Sequence, residues 1–214
     1  MDAESLTHAD KKIDSAWLAT LVASLHSRVL SPFGEPLPEF PDEQLQLNTT
    51  ALSGEAALRP AHAFYENVRE GMAAAGLRLD GDSKALDFGF GWGRISRVFM
   101  HDVRLANLHG LDVDPSFVKL TQSLFKSGNF IECAPFPPTA YAAGSFDLVF
   151  AYSVFSHLSE KATLAWMSEF ERILKPDLSA SYIEVDVGVT VGDFTARLEN
   201  YDLRVTADEK RAVK

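Results

Sequence analysis

Two acids and a run of glycines are the residues whose types and spacing could bind a small ligand. The stretch DFGFGWGR occupies residues 87–94, directly after an apolar run, and three glycines alternate in it with aromatic residues. Glycines in such a place let the chain turn sharply and let a ligand lie against bare backbone. The alternative is a tight turn that binds nothing. The glycine run and the two acids, Asp87 and Asp112, define a candidate binding site.

The details of the stretch indicate which ligand it would bind. Arg94 stands where a dinucleotide loop, G-x-G-x-x-G, requires its last glycine when counted from Gly89. The carboxylate of Asp87 would repel phosphates and attract an amine, whereas the N-terminus of a following helix favours a carboxylate. A ligand with an amine and a carboxylate at one end satisfies both groups.

The rest of the chain predicts the elements that position these residues. Apolar residues recur at helical spacing over residues 5–30 and 54–75, and the proline-rich segment 31–52 predicts an extended arm. From about residue 83, short apolar runs alternate with helical segments. This alternation predicts an α/β fold, a Rossmann-like, doubly wound and mostly parallel sheet with helices on both faces. Ligands of such sheets bind beyond the carboxyl ends of the strands.

Five strands and three helices are predicted after residue 83. The strands lie in KALDF, LANLHGLDV, NFIEC, FDLVFAY and SASYIEVDVGV. One helix is predicted over Trp92–His101, and the other two begin after the N-cap residues Asp114 and Ser159. The candidate motifs lie at the ends of these strands, where the fold class predicts the ligand.

The motifs and their order resemble the class I S-adenosylmethionine-dependent methyltransferases. LDFGFGWGRISRVF resembles the first motif of that family and LHGLDVDPSFVKLTQ the second, while GSFDLVFAYSVFSHLSE and FERILKP resemble the segments around strands four and five. The resemblance covers residues 54–178 and, more narrowly, extends to a bacterial subgroup with mostly unassigned substrates. It implies transfer of the methyl group of S-adenosylmethionine to oxygen or nitrogen of a small-molecule or saccharide- or lipid-linked acceptor, with S-adenosylhomocysteine as the product.

The resemblance also implies the residues that bind the cofactor. The implied set is Asp87, Gly89, Phe90, Gly91, Gly93, Asp112, Val113, Cys133, Ala134, Ala151 and Tyr152. Asp87 and the glycine loop would hold the methionine end, Asp112 the ribose, and Val113 one face of the adenine. Family members often carry an aspartate near the adenine amino group. In IECAPFPP, either Glu132 or a backbone carbonyl must replace it.

His157, just beyond the fourth strand, is the candidate catalytic residue. Methyl transfer to oxygen or nitrogen requires an aligned acceptor and in some cases a base, and histidine titrates near neutral pH. The alternative is that His157 packs under the following helix and bonds a backbone group. The other histidines show no metal-ligand spacing and no C-x-x-C occurs, so we predict no metal.

The two ends of the chain depart from the family pattern. The family's K-P-G-G loop reads KPDLSA here, and few residues follow Val185 for the helix and two strands that complete the family fold. We therefore expect a sheet that is one or two strands short, or a truncated chain, and an exposed edge that favours a homodimer. Residues 1–80 are predicted to form a helical and proline-rich lid, or merely to cover the sheet, and residues 81–214 the cofactor-binding domain.

Composition narrows the function further. The 214 residues carry a net charge of −10, and no cluster of lysine and arginine is suited to a phosphate backbone, which argues against nucleic acid as a partner. No apolar run is long enough for a membrane span and the N-terminus resembles no signal peptide, so a soluble, cytoplasmic protein is predicted. Two alternatives stay open: a non-catalytic methyltransferase-like module and, less favoured because of Asp87 and the missing glycine, an NAD-type oxidoreductase.

Overall fold

A computed structural model describes residues 16–176 of the chain, together with the backbone of residues 180–184 and 204–205. Residues 16–23 are helical and are named α1. The other helices are α2 (Glu43–Thr50), α3 (Gly54–Ala74), α4 (Ser96–Phe99), α5 (Pro115–Phe125) and α6 (Glu160–Ile173). The strands are β1 (Ala85–Phe88), β2 (Leu108–Asp112), β3 (Phe130–Glu132), β4 (Leu148–Tyr152), β5 (Ala180–Glu184) and β6 (Arg204–Val205). Short 3-10 helices cover Leu105–Asn107 and Phe155–His157.

The strands form one sheet in the order β3-β2-β1-β4-β5-β6, and every neighbouring pair is parallel. β1 pairs on one side with β2 and on the other with β4, so the strand order reverses at β1, which is where such sheets bind ligands. The predicted Rossmann-like, parallel sheet is confirmed. Within the described part of the chain the last strand is parallel to β5. The sequence predicts that DFTARLENYDLRV supplies a short helix and one strand; β6 lies at the end of this segment, and the helix falls outside the described residues.

Side chains alternate along the strands and build a separate apolar layer on each face of the sheet. Leu148 and Phe150 belong to the layer that includes residues of α1, α3, α4 and α5, whereas Val149 and Ala151 belong to the layer beneath α6. The N-terminal helices therefore share one core with the sheet. The indole Nε1 of Trp17 in α1 donates to the carbonyl of Val98 at 2.9 Å, which fixes this helix to α4.

The N-terminal segment differs from its prediction in two places. Helix 5–30 was expected, but α1 gives way to turns after residue 23; residues 1–15 lie outside the described part. The hydroxyls of Ser24 and Ser27 donate to nearby backbone carbonyls, and such bonds compete with a continuing helix. The predicted arm also contains a helix, α2, whose N-cap Asp42 accepts from the backbone of Leu45. Helix 54–75 is confirmed as α3.

The helix after the glycine run is much shorter than the predicted Trp92–His101. Turns occupy residues 91–95, and α4 holds four residues. Gly93 has φ +77°, which interrupts a helix, and a Cβ atom there would lie 2.3 Å from Cε2 of Phe125. The predicted caps of the next two helices are confirmed, because Asp114 accepts from Ser116 and Ser159 accepts from Ala162.

Candidate active site

A cavity of about 850 Å³ opens at the carboxyl ends of β1, β2 and β4, within the range of roughly 300–1,000 Å³ that is typical of small-molecule sites. Its walls also include the segment after β3 and residues 47–52, at the end of α2 and just beyond it. The predicted site residues that border it are Gly89, Phe90, Gly91, Asp112, Val113, Cys133, Tyr152 and His157. The fold therefore gathers residues from four separate strand ends around one space.

Four predicted site residues, Asp87, Gly93, Ala134 and Ala151, do not border the cavity. The side chain of Ala151 belongs to the layer beneath α6, and Gly93 packs against the ring of Phe125. Ala134 is exposed on the segment after β3, where its neighbour in the chain lines the cavity instead. These four residues therefore lie behind the cavity wall or face away from the cavity.

Asp87 is buried behind the cavity wall, with 1% of its surface exposed. The hydroxyl of Ser96 in α4 donates to Oδ2 at 2.5 Å. Burial raises the pKa of the Asp87 carboxyl to about 7, and the nearby charge of Asp112 acts in the same direction; the hydrogen bonds from Ser96 and the charge of Arg94 oppose the shift. Any effect of Asp87 on a ligand is therefore electrostatic and acts through the loop.

Asp112 faces the cavity and organises its floor. Its Oδ2 accepts from the backbone N–H of Gly91 at 2.9 Å, and its Oδ1 accepts from the backbone N–H of Asp114 at 3.0 Å. The carboxylate thus joins the glycine loop to the turn between β2 and α5. Each carboxylate oxygen can accept two hydrogen bonds, so each keeps a lone pair for a hydroxyl of a ligand.

Gly91 is the point where the loop opens to the cavity. Its φ is +53°, and a Cβ atom there would meet no atom within 4 Å. The hydroxyl of Thr121 in α5 donates to the Gly91 carbonyl at 2.8 Å and holds the loop in place. At Gly89, in contrast, a Cβ atom would lie 2.4 Å from Cγ2 of Val154, because the segment after β4 presses against the loop. Gly91 therefore leaves space for a ligand, whereas Gly89 leaves space for the side chain of Val154.

The wall beside Asp112 is apolar. Val113 is 53% exposed although it is a large aliphatic residue, and it borders the cavity. Burial raises the pKa of the Cys133 thiol to about 11, and the charges of Asp112 and Glu132 add to this, so the thiol is neutral and not a nucleophile. Glu132 is exposed and lies outside the cavity lining.

The opposite wall contains polar side chains from the end of β4. Tyr152, Ser153 and His157 border the cavity, and His157 is exposed rather than packed beneath α6. Ser153 has φ +58°, an uncommon backbone conformation for a residue other than glycine, and such conformations cluster at functional sites. In residues 16–176 no group of three or more His, Cys, Asp or Glu is arranged to hold a metal ion.

Sequence reasoning missed part of the lining. The missed residues include Leu47, Asn48, Thr49, Thr50, Ala51 and Leu52, together with Pro60, Phe117, Pro135 and Trp166. Residues 47–52 carry no motif and no apolar periodicity, so only the packing of the N-terminal segment reveals them. The sequence contained a weak indication of Phe117, because this residue lies in the first turn of α5, just after the N-cap Asp114.

Comparison with known proteins agrees with this geometry. Residues 86–178, from β1 to just beyond α6, match a family model described as a methyltransferase domain. This match covers less than half of the chain. It supports the predicted resemblance to class I S-adenosylmethionine-dependent methyltransferases and S-adenosylmethionine as the cofactor; the bacterial subgroup stays a prediction. None of the curated proteins matches the chain at a significant level.

Solved structures share this fold at low sequence identity. An S-adenosylmethionine-dependent methyltransferase from Aquifex aeolicus is 18% identical, with a TM-score of 0.53, over 77% of this chain and 90% of its own. A candidate sarcosine dimethylglycine methyltransferase from Galdieria sulphuraria is 20% identical, with a TM-score of 0.50, over 71% of this chain and 58% of its own. A TehB-like methyltransferase from Corynebacterium glutamicum is 23% identical, with a TM-score of 0.47, over 67% and 84%.

In the part of the chain that the structure describes, every helix is too short or too polar to cross a membrane.

Proposed function

We propose that this chain transfers the methyl group of S-adenosylmethionine to an oxygen or nitrogen atom of a small-molecule or saccharide- or lipid-linked acceptor. The observation that carries the proposal is the pairing of Asp112 with the open backbone at Gly91, at the switch in strand order of a methyltransferase domain. A cavity of about 850 Å³ is large enough for a nucleoside cofactor with a small acceptor beside it.

The residues present fit the cofactor in three places. Asp112 keeps acceptor lone pairs for the ribose hydroxyls, and the exposed face of Val113 suits an adenine ring. The open backbone at Gly91 leaves room for the methionine end. Because Glu132 lies outside the cavity lining, we assign the adenine amino group to a backbone carbonyl near Cys133.

The polar wall beyond β4 is where the acceptor would lie. When bound, S-adenosylmethionine supplies an electrophilic methyl group. The acceptor atom must be aligned with that group, and its proton must leave as the new bond forms. His157, exposed at the cavity and close to the end of β4, is the residue we assign as the base; Tyr152 would help to orient the acceptor.

Calorimetry tests the cofactor part of the proposal. We expect the chain to bind S-adenosylhomocysteine, and to bind adenosine more tightly than 2′,3′-dideoxyadenosine. Asp112→Asn should weaken the binding of adenosine by about 10- to 100-fold, because the amide keeps a single acceptor oxygen. It should also remove most of the preference for adenosine over the dideoxynucleoside. Asp147→Asn is the matched control, since that carboxylate binds Lys84 and Lys175 at the far end of the sheet.

Two outcomes would contradict the cofactor assignment. One is the absence of S-adenosylhomocysteine binding at high micromolar concentration. The other is a preference for adenosine that survives in Asp112→Asn.

Turnover tests the role of His157. The formation of S-adenosylhomocysteine is measured over a panel of hydroxyl and amine acceptors, and the first acceptor that is methylated is then used for His157→Gln. We expect a loss of about 10²- to 10⁴-fold in kcat, because proton removal is lost, with unchanged affinity for S-adenosylhomocysteine. A fully active variant would exclude His157 as the base. Binding without turnover on any acceptor would favour a non-catalytic module.

A further inference from the structure

The cavity wall at residues 47–52 presents exposed apolar side chains. In the described part of the chain six large apolar side chains are exposed, and three of them, Leu47, Leu52 and Val113, border the cavity. Val113 follows β2 and is assigned to the adenine ring, whereas Leu47 lies in α2 and Leu52 just beyond it. Leu47 is 40% and Leu52 36% exposed. Exposed apolar side chains grouped at a cavity indicate a ligand with an apolar surface of its own.

The polar side chains of the same wall are already engaged by the protein. The hydroxyls of Thr49 and Thr50 donate to backbone carbonyls of α2 at 2.8 and 2.9 Å. Oδ1 of Asn48 accepts from Nε2 of Gln44 at 2.8 Å. Because a hydroxyl has a single proton to donate, this wall has few side-chain donors to offer a ligand. A saccharide would leave many of its hydroxyls without a partner there, which is unfavourable.

The charged side chains that border the cavity belong to other elements. Among the described residues they are Arg94, Asp112 and Asp114. Asp112 and Asp114 are assigned to the side of β2 and the cofactor, and the guanidinium carbon of Arg94 lies 4.9 Å from the centre of the Tyr152 ring. Residues 47–52 themselves carry no charge. A charged group placed against this segment would lose its hydration without gaining a counter-charge from it.

We propose that the methyl acceptor is an uncharged amphiphile whose apolar body packs against Leu47 and Leu52. The inference rests on the proposed function, because it names the substrate class of the same site. The hydroxyl or uncharged amino group of the acceptor would lie at the polar end of β4, beside His157. A new bond joins that atom to the methyl carbon, the carbon–sulfur bond breaks with its electron pair left on sulfur, and the proton of the acceptor passes to His157.

Calorimetry on the full chain saturated with S-adenosylhomocysteine measures this preference. The probes are 1-butanol, 1-hexanol and 1-octanol, with erythritol as a hydroxyl-rich compound and octanoate as a charged one. We expect the affinity for the alcohols to rise about tenfold for each two added methylene groups, because each group removes further apolar surface from water. Erythritol and octanoate should bind at least tenfold more weakly than 1-octanol.

A double variant assigns the preference to this wall. Leu47→Gln combined with Leu52→Gln replaces both apolar side chains with polar ones of similar length, at positions exposed enough for the fold to tolerate the change. It should bind 1-octanol about tenfold more weakly and the three alcohols with nearly equal affinity. Leu30→Gln is the matched control, because Leu30 is 51% exposed and lies outside the cavity lining. It should keep the dependence on chain length.

The results that would overturn the inference have different meanings. Wild-type protein that binds S-adenosylhomocysteine but shows no dependence on chain length, or prefers erythritol or octanoate to 1-octanol, would remove the apolar acceptor and leave the proposed function intact. A dependence on chain length that survives in the double variant would remove Leu47 and Leu52.

Two further results concern the chain itself. If the alcohols do not bind and the double variant loses stability where Leu30→Gln does not, another part of the chain covers Leu47 and Leu52, and the inference fails. If the wild type does not bind S-adenosylhomocysteine, the proposed function fails and the acceptor class fails with it.

Discussion

The two acids of the site have opposite environments although both end a strand. Asp112 receives a backbone N–H on each oxygen and faces the cavity, whereas Asp87 receives one hydroxyl and lies in the interior. The reason is their position along the sheet. Asp87 pairs with Gly110, so Asp112 lies two residues further towards the carboxyl ends of the strands, where the cavity opens. Asp87 stands between Leu86 and Phe88, which point towards α6, and its own side chain therefore points towards α4.

The buried carboxylate of Asp87 predicts a dependence of stability on pH. Its pKa is raised to about 7 in the folded protein, whereas the unfolded chain ionises it near its ordinary value of 3.8. Between these values the folded state binds the extra proton, so stability falls as the pH rises from about 4 to about 7. Asp87→Asn removes the buried charge and should raise the free energy of unfolding at pH 8 by about 2–4 kcal/mol.

Chemical denaturation across the pH range measures this effect. The gain of Asp87→Asn over the wild type should shrink as the pH falls and vanish near pH 4, where the wild-type carboxyl is protonated in both states. Ser96→Ala is informative as a companion, because it removes the hydroxyl that stabilises the ionised form and should destabilise the protein most above pH 7. A gain for Asp87→Asn that is independent of pH would contradict the assignment.

At the scale of elements, a buried arginine connects the N-terminal arm to the glycine loop. Arg97 in α4 is 1% exposed, and its guanidinium group donates to the carbonyls of Pro38 and Glu39. The guanidinium carbon lies 3.8 Å from the centre of the Phe40 ring and 5.1 Å from that of Trp92. Burial lowers the pKa of Arg97 to about 9. The arm that Arg97 fixes leads directly into α2 and the cavity wall at residues 47–52.

Arg97→Met should therefore loosen the arm without unfolding the sheet. Replacing a buried charge with an apolar side chain of similar length changes global stability little, whereas the two arm carbonyls lose their donors. Hydrogen exchange should become about tenfold or more faster for the amides of residues 36–50 and stay unchanged for α3. Arg59→Met, on the exposed side of α3, should alter neither region. Uniformly faster exchange would indicate general destabilisation, and unchanged exchange would show that the arm is held by other contacts.

At the scale of the whole molecule, the N-terminal segment is part of both the core and the site. Phe64 in α3 contacts the rings of Phe99, Phe150 and Tyr152, and so reaches from the sheet to the cavity wall. Residues 47–52 and Pro60 border the cavity itself. The sequence left a lid and a covering of the sheet as alternatives. In the structure α3 covers the sheet and the end of α2 borders the cavity, and the lid stays a prediction. The boundary between residues 1–80 and 81–214 stays a prediction.

Local patterns in the sequence were sufficient to predict the sheet and the strand ends that border the cavity. Apolar runs, the caps Asp114 and Ser159, and the glycine loop act over a few residues, so their spacing predicts strands and helices without knowledge of the partners. The strand order then places the ends of β1, β2 and β4 together, and Asp112 and Gly91 meet there. The strands, the two capped helices and their parallel sheet could therefore be predicted from the sequence alone.

Only the tertiary structure decided which of these residues border the cavity. Asp87 lies behind the wall because it stands two residues short of the level of Asp112 in the sheet, and the helix after the glycines is short because Gly93 has a positive φ and is pressed against Phe125. The position of residues 47–52 depends on contacts such as that of Arg97 with Pro38, between residues far apart in the chain. Contacts of this kind leave no periodic pattern in the sequence, which is why the cavity wall at residues 47–52 could not be predicted and is seen only in the tertiary structure.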